Sequence, residues 1–270
     1  MKSSSKTGKW LLRNPPDDAG RLLFCFPYAG VGASSYRAWP KALEDGTAIC
    51  ALQPPGRENR FREDGPRDHA SFAASLISAL EPLFERPFAF AGHCGAVPFA
   101  LETALALEER GLRLPERLFA SSWGAPHRGL YGELNFVDLA TADLVSEVRQ
   151  RYVATGQGEP PPEIAEIGAA VLREDLEVQR PYRYDPARAV PCPVTLVSWS
   201  RDDVVPPESV PDGWTECAGD VRHHALDGRH LDFLTCPPQL ARLLVDELGR
   251  PAPADPAPAD PADAGRPHAR

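Results

Sequence analysis

"FAFAGHCGAVPFALE", residues 88–102, combines an apolar strand, a tight turn of small residues and the beginning of a helix. This order of elements is typical of a strained strand-to-helix turn that holds a nucleophile above a parallel sheet. Serine is the usual residue at the crest of such a turn, with glycine two positions later, whereas this chain has Cys94 and Ala96. The stretch therefore predicts a cysteine nucleophile at the edge of a parallel sheet.

Short apolar runs recur along the chain, with helical patterns between them. Continuous apolar runs of this length favour parallel strands that are covered on both faces. Strands that alternate with helices predict a doubly wound α/β sheet. The predicted strands are residues 21–26, 48–52, 87–92, 117–122, 194–199 and 221–226, and the main helical segments are 69–83, 96–111 and 238–248.

The pattern changes between the fourth and fifth predicted strands. Two helical stretches, near 137–154 and 162–178, are separated by "GQGEPPPE" without a strand. Helices inserted here predict a lid over the carboxyl edge of the sheet, where open α/β sheets bind ligands. The predicted division is an N-terminal extension (1–19), a first core part (20–131), a helical lid (132–182), a second core part (183–248) and a disordered Pro/Ala/Asp tail (249–270).

The composition narrows the class of protein. A chain of 270 residues with 43% hydrophobic content suits one α/β domain with one large core. The net charge of −9 disfavours non-specific binding to nucleic acid. No stretch is long and apolar enough to cross a bilayer, the first residues do not resemble a signal peptide, and the six cysteines show no metal-ligand spacing. We therefore expect a cytoplasmic protein. A monomer is a separate expectation that the composition does not determine.

A cysteine nucleophile needs a base that takes its proton and a third group that orients the base. "SRDDVVP", after the fifth predicted strand, supplies Asp202 and Asp203, and "DGRHLDFL", after the sixth, supplies His230. Taken singly, these features suit a packed thiol, a polar turn and a solvated histidine. Together they follow the order nucleophile, acid, histidine of α/β-hydrolases, so they predict a triad of Cys94, His230 and Asp203.

The loop after the first predicted strand, "FPYAGVGASSYRAW" (26–39), is rich in small residues. Such residues let backbone N–H groups approach a ligand closely. Together with the N–H that follows the nucleophile, they can stabilise the oxyanion of a tetrahedral intermediate. An ordinary glycine loop is the alternative interpretation.

Six ordered segments resemble the stand-alone type II thioesterases of polyketide and nonribosomal peptide assembly lines. These enzymes have an α/β-hydrolase fold, so the resemblance implies a mostly parallel sheet with helices on both faces and a helical lid insertion. The similarity extends over about residues 20 to 248. The segments are "FPYAGVGASSYRAWP", "LQPPGRENRF", "AGHCGAVPFALE", "LFASSWGAPH", "LREDLEVQRPYRY" and "GRHLDFL".

The resemblance implies a role for each candidate site residue. Cys94 takes the nucleophile's position, His230 that of the base and Asp203 that of the acid. Asp202 is less favoured. Asp203 directly precedes "VVP", and the catalytic aspartate of the family directly precedes the corresponding segment. No metal and no dissociable cofactor are implied, since the phosphopantetheine arm belongs to the carrier-protein substrate.

By the same resemblance, the backbone N–H groups of Ala29 and Gly95 form the oxyanion hole. The substrate is an acyl or aminoacyl group on an acyl or peptidyl carrier protein. Besides Cys94 and Ala96, the chain departs from the family at "GRHLD", where Arg229 and Asp232 replace a glycine and an aromatic residue.

Basic residues after the second predicted strand suggest a docking surface. Arg57, Arg60, Arg62 and Arg67 lie close together in sequence, and carrier proteins are generally acidic. We expect Arg57, Arg60 and Arg229 to contact the carrier or its phosphopantetheine arm. A solvated basic loop is the alternative.

Several functions fit this sequence. The leading hypothesis is hydrolysis of acyl groups taken from a carrier thioester onto Cys94. Because a Cys94 adduct is itself a thioester, transfer to a second carrier protein or an amine is the main alternative. An inactive α/β-hydrolase scaffold and a small-molecule cysteine hydrolase of the dienelactone type are further alternatives.

Overall fold

The computed structural model describes residues 7–250, and its centre is a six-stranded sheet. Its strands coincide with the six apolar runs predicted from the sequence. Most of them, such as β3 and β5, are buried along their whole length, as strands covered on both faces must be. The strands are β1 (Leu22–Cys25), β2 (Ala48–Ala51), β3 (Phe88–His93), β4 (Leu118–Ser121), β5 (Val194–Trp199) and β6 (Val221–Leu226).

Helices fill the segments between the strands and cover both faces of the sheet. The Asp68 side chain caps the second helix by accepting the Ser71 N–H at 2.7 Å. The helices are α1 (Thr7–Trp10), α2 (His69–Leu80), α3 (Val97–Glu109), α4 (Leu144–Ala154), α5 (Pro162–Gln179) and α6 (Pro238–Leu248). The prediction of an α/β-hydrolase architecture is confirmed.

The order of the strands determines where a ligand can bind. All neighbouring strands are parallel, in the order β2-β1-β3-β4-β5-β6. The chain therefore leaves β1 in one direction toward β2, and β3 lies on the other side of β1. Loops diverge at this switch point and leave a crevice at the carboxyl ends of β1 and β3. The loop after β1 and the turn at Cys94 meet there.

The core has one layer on each face of the sheet, because strand side chains alternate between faces. Leu22 and Phe24 of β1 join one buried cluster, which includes residues of α2 and α3. Leu23 and Cys25 join the other, which includes residues of α6. The sheet is therefore held between two apolar layers, and its carboxyl edge is a rigid support for a site.

Helices α4 and α5 lie within the predicted lid, residues 132–182, and share a small apolar cluster around Val148 and Leu172. Helix α4 begins at Leu144, later than the sequence pattern predicts, because Asp143 caps it by accepting the Ser146 N–H. The predicted tail lies outside the described residues after Arg250, as do residues 1–6 of the N-terminal extension. Within residues 7–250, no helix has the length and apolarity needed to span a bilayer.

Candidate active site

Cys94 occupies the strained crest between β3 and α3. Its φ angle of 51° lies in the left-handed region, which costs energy for a residue with a side chain. The chain turns so tightly that a Cβ at Gly92 would lie 3.1 Å from backbone atoms of Ala96 and Val97. Glycine therefore avoids a crowded contact at position 92, whereas the methyl group of Ala96 is fully buried in the core. The half-buried Cys94 thiol is left at the carboxyl edge of the sheet.

His230 is buried and pairs with Asp202, not with Asp203. Its Nδ1 lies 3.0 Å from both carboxylate oxygens of Asp202, so the Nδ1–H donates to that carboxylate. Asp203 is exposed. The prediction that Asp203 is the acid is therefore wrong, because Asp202 occupies that position in the structure.

Asp202 is held by the turn that follows β5. Its N–H donates to the Trp199 carbonyl, and its Oδ1 accepts the N–H groups of Val204 and Val205, each at 2.9 Å. The hydroxyl of Ser122 donates to Oδ2 at 2.6 Å. This turn directs the first of the two aspartates inward, and the second therefore points to solvent.

These contacts shift the pKa values of the pair in opposite directions. Burial alone would raise the pKa of Asp202, but hydrogen bonds from His230, Ser122 and the Val205 N–H lower it. Burial alone would lower the pKa of His230, but its interactions with Asp202 and Cys94 raise it to about 9. The protonated imidazole is thus well stabilised beside Cys94.

A second histidine supports the first. His93, fully buried before Cys94, has its ring 4.4 Å from the His230 ring and stacks on Phe233 at 4.5 Å. Its Nδ1 lies 2.9 Å from the Ser121 hydroxyl, which also accepts the Trp199 Nε1–H at 3.0 Å. Sequence reasoning missed this group, although polar residues at the ends of β3 and β4 are a recognisable indication of it.

Asp232 stabilises the turn that carries His230. Its carboxylate accepts the Arg229 N–H at 2.8 Å, at the start of the 3₁₀ turn His230–Thr235. A Cβ at Gly228 would lie 2.8 Å from this carboxylate and 2.8 Å from the Trp199 ring, so the glycine allows the close approach. The aspartate that replaces an aromatic residue is therefore a cap for the histidine loop.

The two predicted oxyanion-hole residues lie side by side. A Cβ on Gly95 would be 3.8 Å from the Cβ of Ala29. No loop or turn hydrogen bond in residues 7–250 uses the N–H of either residue. The next N–H, that of Gly30, donates to Asp175 at 2.7 Å. Ala29 and Gly95 thus remain the predicted oxyanion-hole residues beside Cys94.

Both lid helices hold the loop after β1. From α4, Arg151 donates to the Ala29 carbonyl at 3.1 Å and lies over the Tyr28 ring. From α5, Asp175 accepts the Gly30 N–H and forms a buried ion pair with Arg57. The two lid helices therefore fix the peptide group between Ala29 and Gly30 from both its carbonyl and its N–H side.

Two of the predicted carrier contacts have other partners. Arg57 is buried, and its Nη atoms donate to Asp175 and the Val31 carbonyl. Arg60 is also buried, and it donates to the Gln53 carbonyl and Glu63. Neither guanidinium is available on the surface, so the docking prediction is corrected for both. Arg229 is exposed and remains a predicted contact.

The assembled residues suit acyl transfer through a covalent cysteine intermediate. A thiol is presented by a strained turn, and a buried imidazole that interacts with it is oriented by a carboxylate. Ala29 and Gly95 lie close together beside this turn, and their backbone N–H groups remain the predicted donors to an oxyanion. A lid covers the loop that provides one of them.

Comparison with known proteins agrees with this geometry. The profile of the thioesterase domain family matches residues 21–248. The AMB antimetabolite synthetase AmbE of Pseudomonas aeruginosa is 30% identical over 245 residues, and the match covers 90% of this chain but only 11% of AmbE. The similarity to thioesterases predicted from six segments is confirmed.

Solved structures extend the comparison. The RedJ thioesterase of the prodiginine pathway in Streptomyces coelicolor is 31% identical, with a TM-score of 0.71 over 87% of this chain and 88% of RedJ. The type II thioesterase BorB of the borrelidin cluster is 26% identical, with a TM-score of 0.74 over 88% of this chain and 97% of BorB.

Proposed function

Because the chain belongs to the thioesterase domain family, we propose that it hydrolyses acyl thioesters of carrier proteins through Cys94. The observation that carries the proposal is the buried Asp202–His230 pair at the same edge of the sheet as the strained turn that holds Cys94. The similarity to RedJ and BorB supports a place in polyketide or nonribosomal peptide biosynthesis. An acyl or peptidyl carrier protein is then the partner.

The first half-reaction acylates the cysteine. His230 Nε2 holds the proton that the Cys94 thiol has given up, and the sulfur attacks the thioester carbonyl of the substrate. The carbonyl oxygen becomes an oxyanion, which accepts hydrogen bonds from the N–H groups of Ala29 and Gly95. When the intermediate collapses, the phosphopantetheine thiolate leaves and takes the proton from His230.

The second half-reaction releases the acyl group. His230 removes a proton from water as the water oxygen attacks the Cys94 thioester. The new oxyanion uses the same two N–H groups, the bond to the Cys94 sulfur breaks, and the sulfur regains its proton from His230. Asp202 holds the imidazole in the Nδ1–H tautomer throughout and stabilises its positive charge.

A second candidate function is transfer of the acyl group from Cys94 to a second carrier protein or an amine. The cysteine at position 94 favours it. An acyl group on Cys94 remains a thioester and keeps its activation, whereas a serine would form a more stable oxygen ester. A carrier thiol or an amine can therefore replace water in the second half-reaction. The first half-reaction is the same.

One kinetic experiment tests the proposal and separates the two candidates. Purified protein is mixed with an acyl-loaded carrier protein, with or without an unloaded second carrier, and free acid and newly loaded carrier are measured. Hydrolysis predicts rapid release of free acid in both mixtures. Loading of the second carrier ahead of acid release would instead establish transfer. If wild type and Cys94→Ala were equally inactive, the proposal would fail and an inactive scaffold would be favoured.

A further inference from the structure

A narrow cavity lies beside the expected oxyanion hole, below lid helix α5. Its lining includes Ala29 and Gly95, the aromatic residues Phe72 and Phe99, and the polar residues Arg57 and Gln179. A Cβ on Gly95 would lie 4.0 Å from the Gln179 side-chain oxygen. The cavity therefore adjoins the turn that carries Cys94, since Gly95 is the next residue.

Two buried N–H groups at this cavity have no partner within the described chain. They are Nε2 of Gln179 and Nε of Arg57. Gln179 is only 3% exposed and Arg57 only 5%, so bulk water does not satisfy these groups. A buried donor without an acceptor is costly, and both residues line the cavity.

His69 orients the side-chain amide of Gln179. His69 Nε2 lies 3.3 Å from Gln179 Oε1, and the His69 ring stacks on Phe99 at 4.1 Å and packs on Tyr182 at 4.3 Å. Burial lowers the pKa of His69 to about 4, so the ring is neutral and donates its Nε2–H to the amide oxygen. The amide nitrogen of Gln179 is therefore left without a protein acceptor.

We propose that Gln179, assisted by Arg57, binds an oxygen atom of the acyl chain, so that the enzyme prefers short acyl groups with a hydroxyl or carbonyl oxygen. An alkyl chain of the same length would leave both donors buried and unpaired. Sites built to bind a substrate oxygen discriminate strongly against analogues that lack it. This inference rests on the proposed thioesterase function.

The test compares two substrates of equal chain length, 3-hydroxybutyryl and butyryl thioesters of one carrier protein. The measured quantity is the ratio of their kcat/KM values in wild type and in Gln179→Met, which keeps the side-chain length but removes the donor. The matched control is Gln150→Met, because Gln150 is exposed on lid helix α4 and contacts only Ser146 of the same helix. We expect wild type and the control to prefer the hydroxylated substrate by roughly 10-fold or more, and Gln179→Met to lose most of that preference.

Gln179→Glu is a second variant in case the first does not fold. Its carboxylate accepts hydrogen bonds but does not donate them, so this variant should lose the same preference for the hydroxylated substrate. Equal ratios in wild type and either folded Gln179 variant would overturn the inference, while hydrolysis of both substrates would leave the proposed function intact. If wild type releases neither acid and gains no acyl group on Cys94, the proposed function fails, and the inference fails with it.

Discussion

Asp175 of lid helix α5 forms a bidentate ion pair with Arg57 of the loop after β2, with oxygen-to-nitrogen distances of 2.7 and 2.8 Å. Both side chains are less than 10% exposed. The same carboxylate accepts the Gly30 N–H. One lid residue thus connects α5 to two core loops that surround the candidate active site.

This ion pair predicts a large effect of Asp175→Asn on stability. Removing one charge leaves the Arg57 guanidinium buried without a counter-ion, which typically costs about 3–5 kcal/mol. The free energy of unfolding in urea measures the effect. The control is Glu177→Gln, since Glu177 is exposed on the same helix. Equal stability of the two variants would show that the lid does not depend on this pair.

The two adjacent aspartates should differ sharply in their importance for activity. Asp202→Asn removes the acceptor that orients His230, so kcat should fall by roughly 10³- to 10⁴-fold. Asp203→Asn changes an exposed side chain and should leave kcat near the wild-type value. Steady-state hydrolysis of an acyl-carrier substrate measures both. The opposite ranking would contradict the assignment of the acid.

His69 predicts a loss of stability in mild acid. Burial lowers its pKa to about 4, despite its hydrogen bond to Gln179 and the nearby charges of Asp68 and Asp175. In the unfolded chain a histidine titrates near pH 6.5. The unfolded state therefore binds more protons between these values, so the stabilising effect of neutral His69 is complete above about pH 6.5 and is lost as pH falls toward 4.

The measurement for His69 is the difference in unfolding free energy between pH 7 and pH 4. In His69→Phe this difference should be smaller than in wild type by about 3 kcal/mol, because phenylalanine keeps the stacking but does not titrate. Titration of all other groups is common to both proteins. An identical pH dependence would mean that His69 is not held neutral by burial.

The tight turn predicts that substitution is destabilising at Gly92 and tolerated at Ala96. In Gly92→Ala the added methyl group would lie 3.1 Å from three backbone atoms, so we expect a destabilisation of roughly 1–3 kcal/mol. Ala96→Gly restores the residue usual in such turns and should change stability by at most about 1 kcal/mol. Thermal unfolding compares the two. A larger loss for Ala96→Gly would contradict the packing described for this turn.

The strands, the helices and the nucleophile turn could be predicted because each is encoded locally. The choice between Asp202 and Asp203 could not, because it depends on which aspartate the Val204 and Val205 N–H groups bind in one turn. The burial of Arg57 could not be predicted from the sequence either, since its partner Asp175 lies 118 residues away in the lid. Long-range pairing of charges leaves no local pattern, whereas apolar periodicity does.

The central claim is that Cys94 carries the acyl group, and intact-protein mass spectrometry tests it most directly. Wild type and Cys94→Ala are each mixed with an acyl-loaded carrier protein and quenched in acid within the first turnover. The intact mass of each protein is then measured. The account predicts that wild type gains the mass of one acyl group, located on Cys94 by peptide mapping, and that Cys94→Ala gains none. Free acid released at the same rate by both proteins, without an adduct on either, would contradict it.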